Sequence, residues 1–217
     1  MNKYVRFPGE VRAHRDYMIE RFQKAPDFVI HGECLIGPDY FYGGWNLNQI
    51  SAHAIQLYVV DHTIHDAGGG HKHEIEDQAY YVVRGRANVK IGEGMAQVSA
   101  GGVAYAPSGL MHGYGNSGPD TLTMLDIHAW HFPGERMTKL ELTEFTRPPG
   151  SVNERHSHAD REEAYFIVSG QASVNVGDEE VTVTPGAGVY FPRNVEHGYR
   201  VTGSEPFKYL LISNSDV

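Results

Sequence analysis

The sequence predicts an all-β chain, in which two consecutive copies of one small strand-rich unit follow a short N-terminal helix and arm. Three observations predict it. First, HKHEIEDQAYYVVRG from His71 and HSHADREEAYFIVSG from His156 share one pattern. Second, the step of 85 positions between them also carries Gly101 to Gly186, Pro107 to Pro192, His112 to His197 and Gly113-Tyr114 to Gly198-Tyr199. Two separated motifs that keep one spacing indicate a tandem duplication. Third, each copy reads as short runs rich in Val, Tyr, Phe and Ile cut by glycine turns, the pattern of a sandwich or barrel. The 25 glycines in 217 residues are about 12% of the chain against roughly 7% on average, which favours tight turns over long helices.

In chain order, a helix is expected around Val11 to Lys24. Residues 25–48 have weak periodicity and read as loop or arm, with the aromatic string DYFYGGW expected to form an interface strand. Strands are expected at QAYYVV, ANVKI, AQVSA, VAYAP and TLTMLDIHAW in the first copy. The second copy matches them with EAYFIV, ASVNV, EEVTVTP, VYFP and KYLLIS. Pro and Gly in HFPGER place the junction near Phe132 to Arg136. The division is therefore 1–48 for the helix and arm, 49–132 for the first unit and 133–217 for the second.

Hydrophobic residues make up 41% of the chain and charged residues 21%, ordinary for a soluble protein. No run approaches the ~18 apolar residues of a membrane span, and the N-terminus lacks the apolar core of a secretory signal. A formal charge of −9 argues against a nucleic-acid groove or an anionic membrane surface. Cys34 stands alone, which fits a reducing, cytoplasmic location and a small buried residue rather than a nucleophile. The thirteen histidines carry the functional argument.

His-x-His in a strand puts both imidazoles on one face, because side chains alternate with period two. Gln78 and Glu163 open the next strand, with Tyr80 and Tyr165 on the same face, and His112 and His197 arrive from a further strand. Each copy thus converges three histidines and one oxygen ligand. Such a mixed set suits iron, manganese, nickel, copper or zinc, with open positions left for substrate or water. A single His-x-His is more often a surface pair, but here the constellation occurs twice.

These residues resemble the cupin superfamily, whose motifs are G-x5-H-x-H-x(3,4)-E-x6-G and G-x5-P-x-G-x2-H-x3-N. HKHEIEDQAYYVVRG fits the first motif with Gln78 in the Glu position and His65 in place of the upstream glycine. GGVAYAPSGLMHGYGN, from Gly101 to Asn116, fits the second at every fixed position. In the second copy Glu163 and Gly150 are intact, while GAGVYFPRNVEHGYRV has Asn194 for the glycine and Val201 for the final Asn. Asn is the best non-glycine residue where φ is positive, so the turn should survive. The resemblance covers Ile50 to Val217 and implies two antiparallel jelly-roll-type barrels. Its implied ligands are His71, His73, Gln78 and His112 in one barrel and His156, His158, Glu163 and His197 in the other. It also implies up to two divalent metals per chain and a homo-oligomer, taken as a dimer.

The first expectation for function is a non-heme iron dioxygenase acting on a small chelating organic molecule, with Glu163 as ligand or base. Tyr165, Tyr199, His62 and His128 would line pockets, with packing inside a barrel the plain alternative for the tyrosines. The rival expectation is a redox-silent lyase, isomerase or decarboxylase at the Gln78 site with Mn, Ni or Zn. There the neutral amide leaves a stronger Lewis acid, and Tyr80 or Tyr114 would serve as acid/base. A third is a metal-dependent binding protein without turnover. His62, His65, His128 and His131 surround the first site in sequence, where the second copy has Arg147, Gly150 and no histidine.

Overall fold

Side chains that alternate between two faces decide how these strands stack. In the computed structural model, residues 2–11, 31–37, 49–63, 68–135 and 138–216 are described, and among them every regular element is a strand. β1 (Val5–Arg6) precedes the barrels. The first barrel is built from β2 (His31–Gly37), β3 (Ile50–Ser51), β4 (Ile55–His62), β5 (Glu76–Arg84), β6 (Arg86–Ile91), β7 (Gly94–Ser99), β8 (Val103–Ala106), β9 (His112–Asn116) and β10 (Leu122–Trp130). Its two sheets run β3-β2-β4-β10-β5-β8 and β7-β6-β9, antiparallel except for the short β2–β3 pairing.

The second barrel is built from β11 (Thr138–Arg147), β12 (Val152–His156), β13 (Arg161–Ser169), β14 (Ala172–Val176), β15 (Glu179–Val183), β16 (Gly188–Phe191), β17 (His197–Val201) and β18 (Phe207–Asp216). Its sheets run β1-β16-β13-β18-β11 and β12-β17-β14-β15. The duplication holds in the pairing. Asp126 and His128 lie opposite Tyr80 and Gln78, and 85 positions on Leu211 and Ser213 lie opposite Tyr165 and Glu163.

Alternation sorts the apolar residues into three cores. Tyr80, Val82, Leu122 and Met124 fill the first barrel, and Tyr165, Ile167, Phe207 and Tyr209 fill the second. The intervening residues on the same strands meet between the barrels: Ala79, Tyr81, Leu125 and Ile127 against Ala164, Phe166, Leu210 and Ile212. A buried carboxylate joins them. Glu162, 1% exposed, accepts the backbone N–H groups of Ala54 and Ile55 at 2.8 Å each and the Tyr190 hydroxyl at 2.5 Å. The clasp satisfies the N–H groups at the start of β4.

The expected helix falls almost wholly outside the described residues; Val11, at its start, is buried in the core between the barrels. DYFYGGW also lies outside them. Within the expected arm, His31–Gly37 is a strand, because Leu35 and Ile36 are buried beside β4. Cys34 is buried, with its thiol donating to the Ile36 carbonyl at 3.2 Å. β1 covers the β16 edge of the second barrel, pairing Val5 with Val189 and Arg6 with Gly188. β10 ends at Trp130 and β11 begins at Thr138, on either side of the expected junction.

Candidate metal centres

Each candidate ligand cluster forms where strand ends meet. The His-x-His pairs do not lie inside a strand as expected: His156 is the last residue of β12, His158 lies beyond it, and His71 makes only an isolated bridge to His112. The backbone leaves the sheet there, yet the rings still converge. In the first barrel the ring centroids of His71–His73, His71–His112 and His73–His112 are 4.7, 4.7 and 5.3 Å apart. In the second, His156–His158, His156–His197 and His158–His197 are 5.0, 4.5 and 5.5 Å apart.

Hydrogen bonds select which nitrogen faces the centre. His112, His156 and His197 donate Nδ1–H to the carbonyls of Leu110, Glu154 and Val195 at 2.6, 2.8 and 2.9 Å. His73 donates its Nδ1–H to Glu76 at 2.8 Å. His73, His156 and His197 are thereby left with Nε2 as the lone pair, the arrangement that orients metal-bound imidazoles, whereas His112 also turns its Nε2 to an acceptor, Gln78 Oε1 at 2.6 Å. His73 Nε2 and His197 Nε2 are buried with no hydrogen-bond partner, a cost that a cation would remove. Burial foremost lowers the pKa of His71, His73 and His158, which keeps them in the neutral form a metal needs. Both donor sets therefore fit a divalent transition metal.

The candidate oxygen ligands differ. Glu163 sets one oxygen 3.5 Å from His158 Nε2 and the other 3.6 Å from His197 Nε2, so the carboxylate faces both imidazoles without bonding either. Gln78 sets its Oε1 2.6 Å from His112 Nε2 and donates its amide N–H to Asp126. Asp126 is 3.2 Å from His128 Nε2, and His128 Nδ1 is 3.2 Å from Glu76. Burial alone would pull the His128 imidazole down, but the Asp126 carboxylate, its hydrogen bond and that of Glu76 push it up to about 10. Burial would raise the Asp126 carboxyl, and His128 with the Gln78 amide outweighs it, so the net direction is down.

The other expected site residues fall as follows. His128 joins the first cluster, with its ring 5.7 Å from that of His73. Tyr80 is fully buried with an unpartnered hydroxyl, and burial with Asp126 beside it raises its pKa far above the phenol range. Tyr114 packs on Tyr80 at 5.0 Å, and buried His62 lies beyond it at 6.0 Å from Tyr114. Tyr165 and Tyr199 sit within the aromatic core of the second barrel. His131 is 3.3 Å from Asp77, and His65 lies outside the described residues. Sequence reasoning missed Glu76 and Asp126. The signal was period two, since Asp126 stands two residues before His128 and Glu76 two before Gln78.

The cupin domain family matches residues 62–128 and 143–213. An uncharacterized protein of Methanocaldococcus jannaschii is 32% identical over 75 residues, which cover 35% of this chain and 60% of that one. One from Streptomyces coelicolor is 36% identical over 63 residues, covering 29% and 58%. The chain thus spans about 60% of the length of these relatives. Among solved structures, Ylba of E. coli aligns at TM-score 0.73 and 17% identity over 98% of this chain and 91% of that one. Bacillus subtilis oxalate decarboxylase, with Mn(II) centres, aligns at 0.72 and 13% over 100% and 78%.

Proposed function

Because the chain belongs to the cupin domain family, we propose that it is a metal-dependent enzyme working in its first barrel on a small chelating organic molecule. The proposed reaction is redox-silent: a lyase, isomerase or decarboxylase step. One observation carries this reading. Glu76, His128 and Asp126 form a chain of ionisable groups behind the first ligand set, and the second copy has Arg161, Ser213 and Leu211 at those positions. Burying charged groups costs stability that an apolar residue such as Leu211 avoids. A fold that keeps them beside a ligand set departs from its own economy at a place where function explains the departure.

When bound, a divalent ion would supply Lewis-acid polarisation of a substrate oxygen. His71, His73, Gln78 and His112 would hold it, and manganese is the first metal to try. The protein's own groups do the rest. The Tyr80 hydroxyl is a buried donor held in its protonated form, and Glu76 Oε2 is a buried acceptor without a partner. Both are left over for a bound molecule. A homodimer, a cytoplasmic location and the division at residue 132 complete the proposal.

The second reading is an iron dioxygenase in the second barrel, favoured by the three histidines and the carboxylate of Glu163 turned to two of them. Metal content and oxygen uptake separate the two. With a panel of small hydroxy and keto acids, turnover without oxygen consumption is expected, abolished by His71→Ala and kept by His156→Ala. Elemental analysis should find about one ion fewer per chain in each variant. Oxygen consumption that disappears with His156→Ala would overturn the proposal in favour of the second reading.

A further inference from the structure

We infer that Asp126 is the positioning residue of the first centre: it accepts the Gln78 amide N–H, turns the amide oxygen toward the ion, and carries the negative charge that Glu163 places directly on the second. The inference rests on the first barrel being a metal site, as proposed above.

A glutamine side chain offers an oxygen on one side and an N–H donor on the other, and only the oxygen serves as a ligand. Two contacts orient the amide: its oxygen faces His112 Nε2 at 2.6 Å, and its N–H meets Asp126, a carboxylate that accepts and never donates. The N–H group of Gln78 bonds Asp126, so Oε1 is left facing His112 Nε2 at 2.6 Å. A glutamate at position 78 would instead turn a second carboxylate on Asp126 with no donor between them, and like charges at that range repel. Gln78 with Asp126, and Glu163 with Leu211, are therefore matched pairs. Exchanging one member without the other breaks the match.

His128 extends the arrangement. Hydrogen-bond contacts run without a gap from His73 to Glu76 at 2.8 Å, Glu76 to His128 at 3.2 Å and His128 to Asp126 at 3.2 Å. From Asp126 they pass through Gln78 to His112. The chain begins on one ligand and ends on two others, so it fixes the orientation of three of the four donors. The second copy holds Leu211 and Ser213 in the places of Asp126 and His128, across from Tyr165 and Glu163. There Glu163 needs no orienting partner because its two oxygens are equivalent.

The test uses the full chain carrying His156→Ala and His158→Ala, so that only the first barrel binds, with Mn(II) as probe in equilibrium dialysis. Asp126→Leu is expected to weaken Mn(II) binding about 10–100-fold, the usual loss when a ligand's orienting partner is removed. Gln78→Glu alone should also weaken it. Gln78→Glu with Asp126→Leu, which copies the second barrel, should recover affinity to within about threefold of the parent. A merely structural role would make the double variant worse than either single one. Asp126→Asn keeps the shape if the leucine variant fails to fold, and should retain Mn(II) better than Asp126→Ala. Unchanged affinity in Asp126→Leu, or additive losses in the double variant, would overturn the inference alone. No Mn(II) binding by the parent would overturn it together with the reading it rests on. Binding with the expected rescue but no turnover would leave the inference standing and sink the enzyme.

Discussion

Where the first barrel carries Ala106 and Met124, the second carries Phe191 and Tyr209. The exchange fills the second interior with aromatic rings. Tyr165 meets Phe191 edge-on at 4.4 Å and packs tilted on Tyr209 at 4.5 Å, and Phe191 lies 4.6 Å from the ring of His197. The first interior puts an alanine methyl beside Gln78, its partner across the strand pair. It spends the remaining positions of β10 on Asp126 and His128. Both barrels keep three histidines at nearly the same separations. Ligand geometry and interior packing are thus separable in a duplicated barrel: strand ends set the first, and the inward positions of two strands set the second.

Exchanging the fillings should break that comparison most severely. Phe191→Ala is expected to cost about 3–5 kcal/mol, since a fully buried ring leaves a cavity its neighbours refill only in part. Ala106→Phe in the first barrel is expected to cost about 1–3 kcal/mol by overpacking, and to displace Gln78 so that first-barrel Mn(II) affinity falls too. Urea denaturation of both variants reads the stability, and dialysis reads the metal. If Ala106→Phe left both unchanged, the first barrel would have room that the small residue does not reserve.

The outward faces differ as well. Glu162 and Asp77 occupy the same position in the two copies, and each accepts from a tyrosine hydroxyl, Tyr190 at 2.5 Å and Tyr105 at 2.6 Å. Glu162 also holds the N–H groups that begin β4, across the barrel interface. Glu162→Ala should therefore cost about 3 kcal/mol, because each buried N–H left unpaired costs roughly 1–3 kcal/mol. Asp77→Ala frees a tyrosine that is 46% exposed, one turn N–H from Ser108 and the half-buried ring of His131, all of which water can reach. About 1 kcal/mol is expected there. Equal shifts in the urea midpoint would mean that the clasp adds nothing across the interface.

These two comparisons also show where sequence reading stops. The histidine clusters were legible because candidate ligands recur at one spacing in the two copies, and several of the strands around them because β-branched and aromatic residues mark them. β2 was not, since Gly32, Glu33 and Gly37 dilute its apolar run. β11 was missed although Leu140 and Leu142 alternate, because Lys139, Glu141 and Glu144 give it the look of a surface segment. Asp126 and Glu76 look like exposed acids until the phase of His128 and Gln78 is applied. Glu162 was illegible in principle: its partners are backbone N–H groups 107 and 108 positions away, and no side-chain pattern records them.

The smallest expected effect, that of Gly109→Asn, concerns the turn that feeds each His-x-His loop. Gly109 has φ 78°, and Asn194 in the second copy has φ 61°, the one positive-φ residue other than glycine among the described residues. Their N–H groups donate to the carbonyls of His73 at 2.6 Å and His158 at 2.7 Å, so both turns hold the second histidine of a pair. A Cβ at Gly109 would meet only the end of the Glu74 side chain, at 3.8 Å, so space does not forbid substitution and backbone conformation alone decides its cost. Gly109→Asn should change stability by less than about 0.5 kcal/mol, as the second copy already tolerates that residue. Gly109→Ala should cost about 1–2 kcal/mol, the penalty of a left-handed conformation without a local side-chain hydrogen bond. If alanine proved as harmless as asparagine, the turn would be able to leave the left-handed region without releasing His73, and the repeated glycine and asparagine would owe nothing to the histidine beside them.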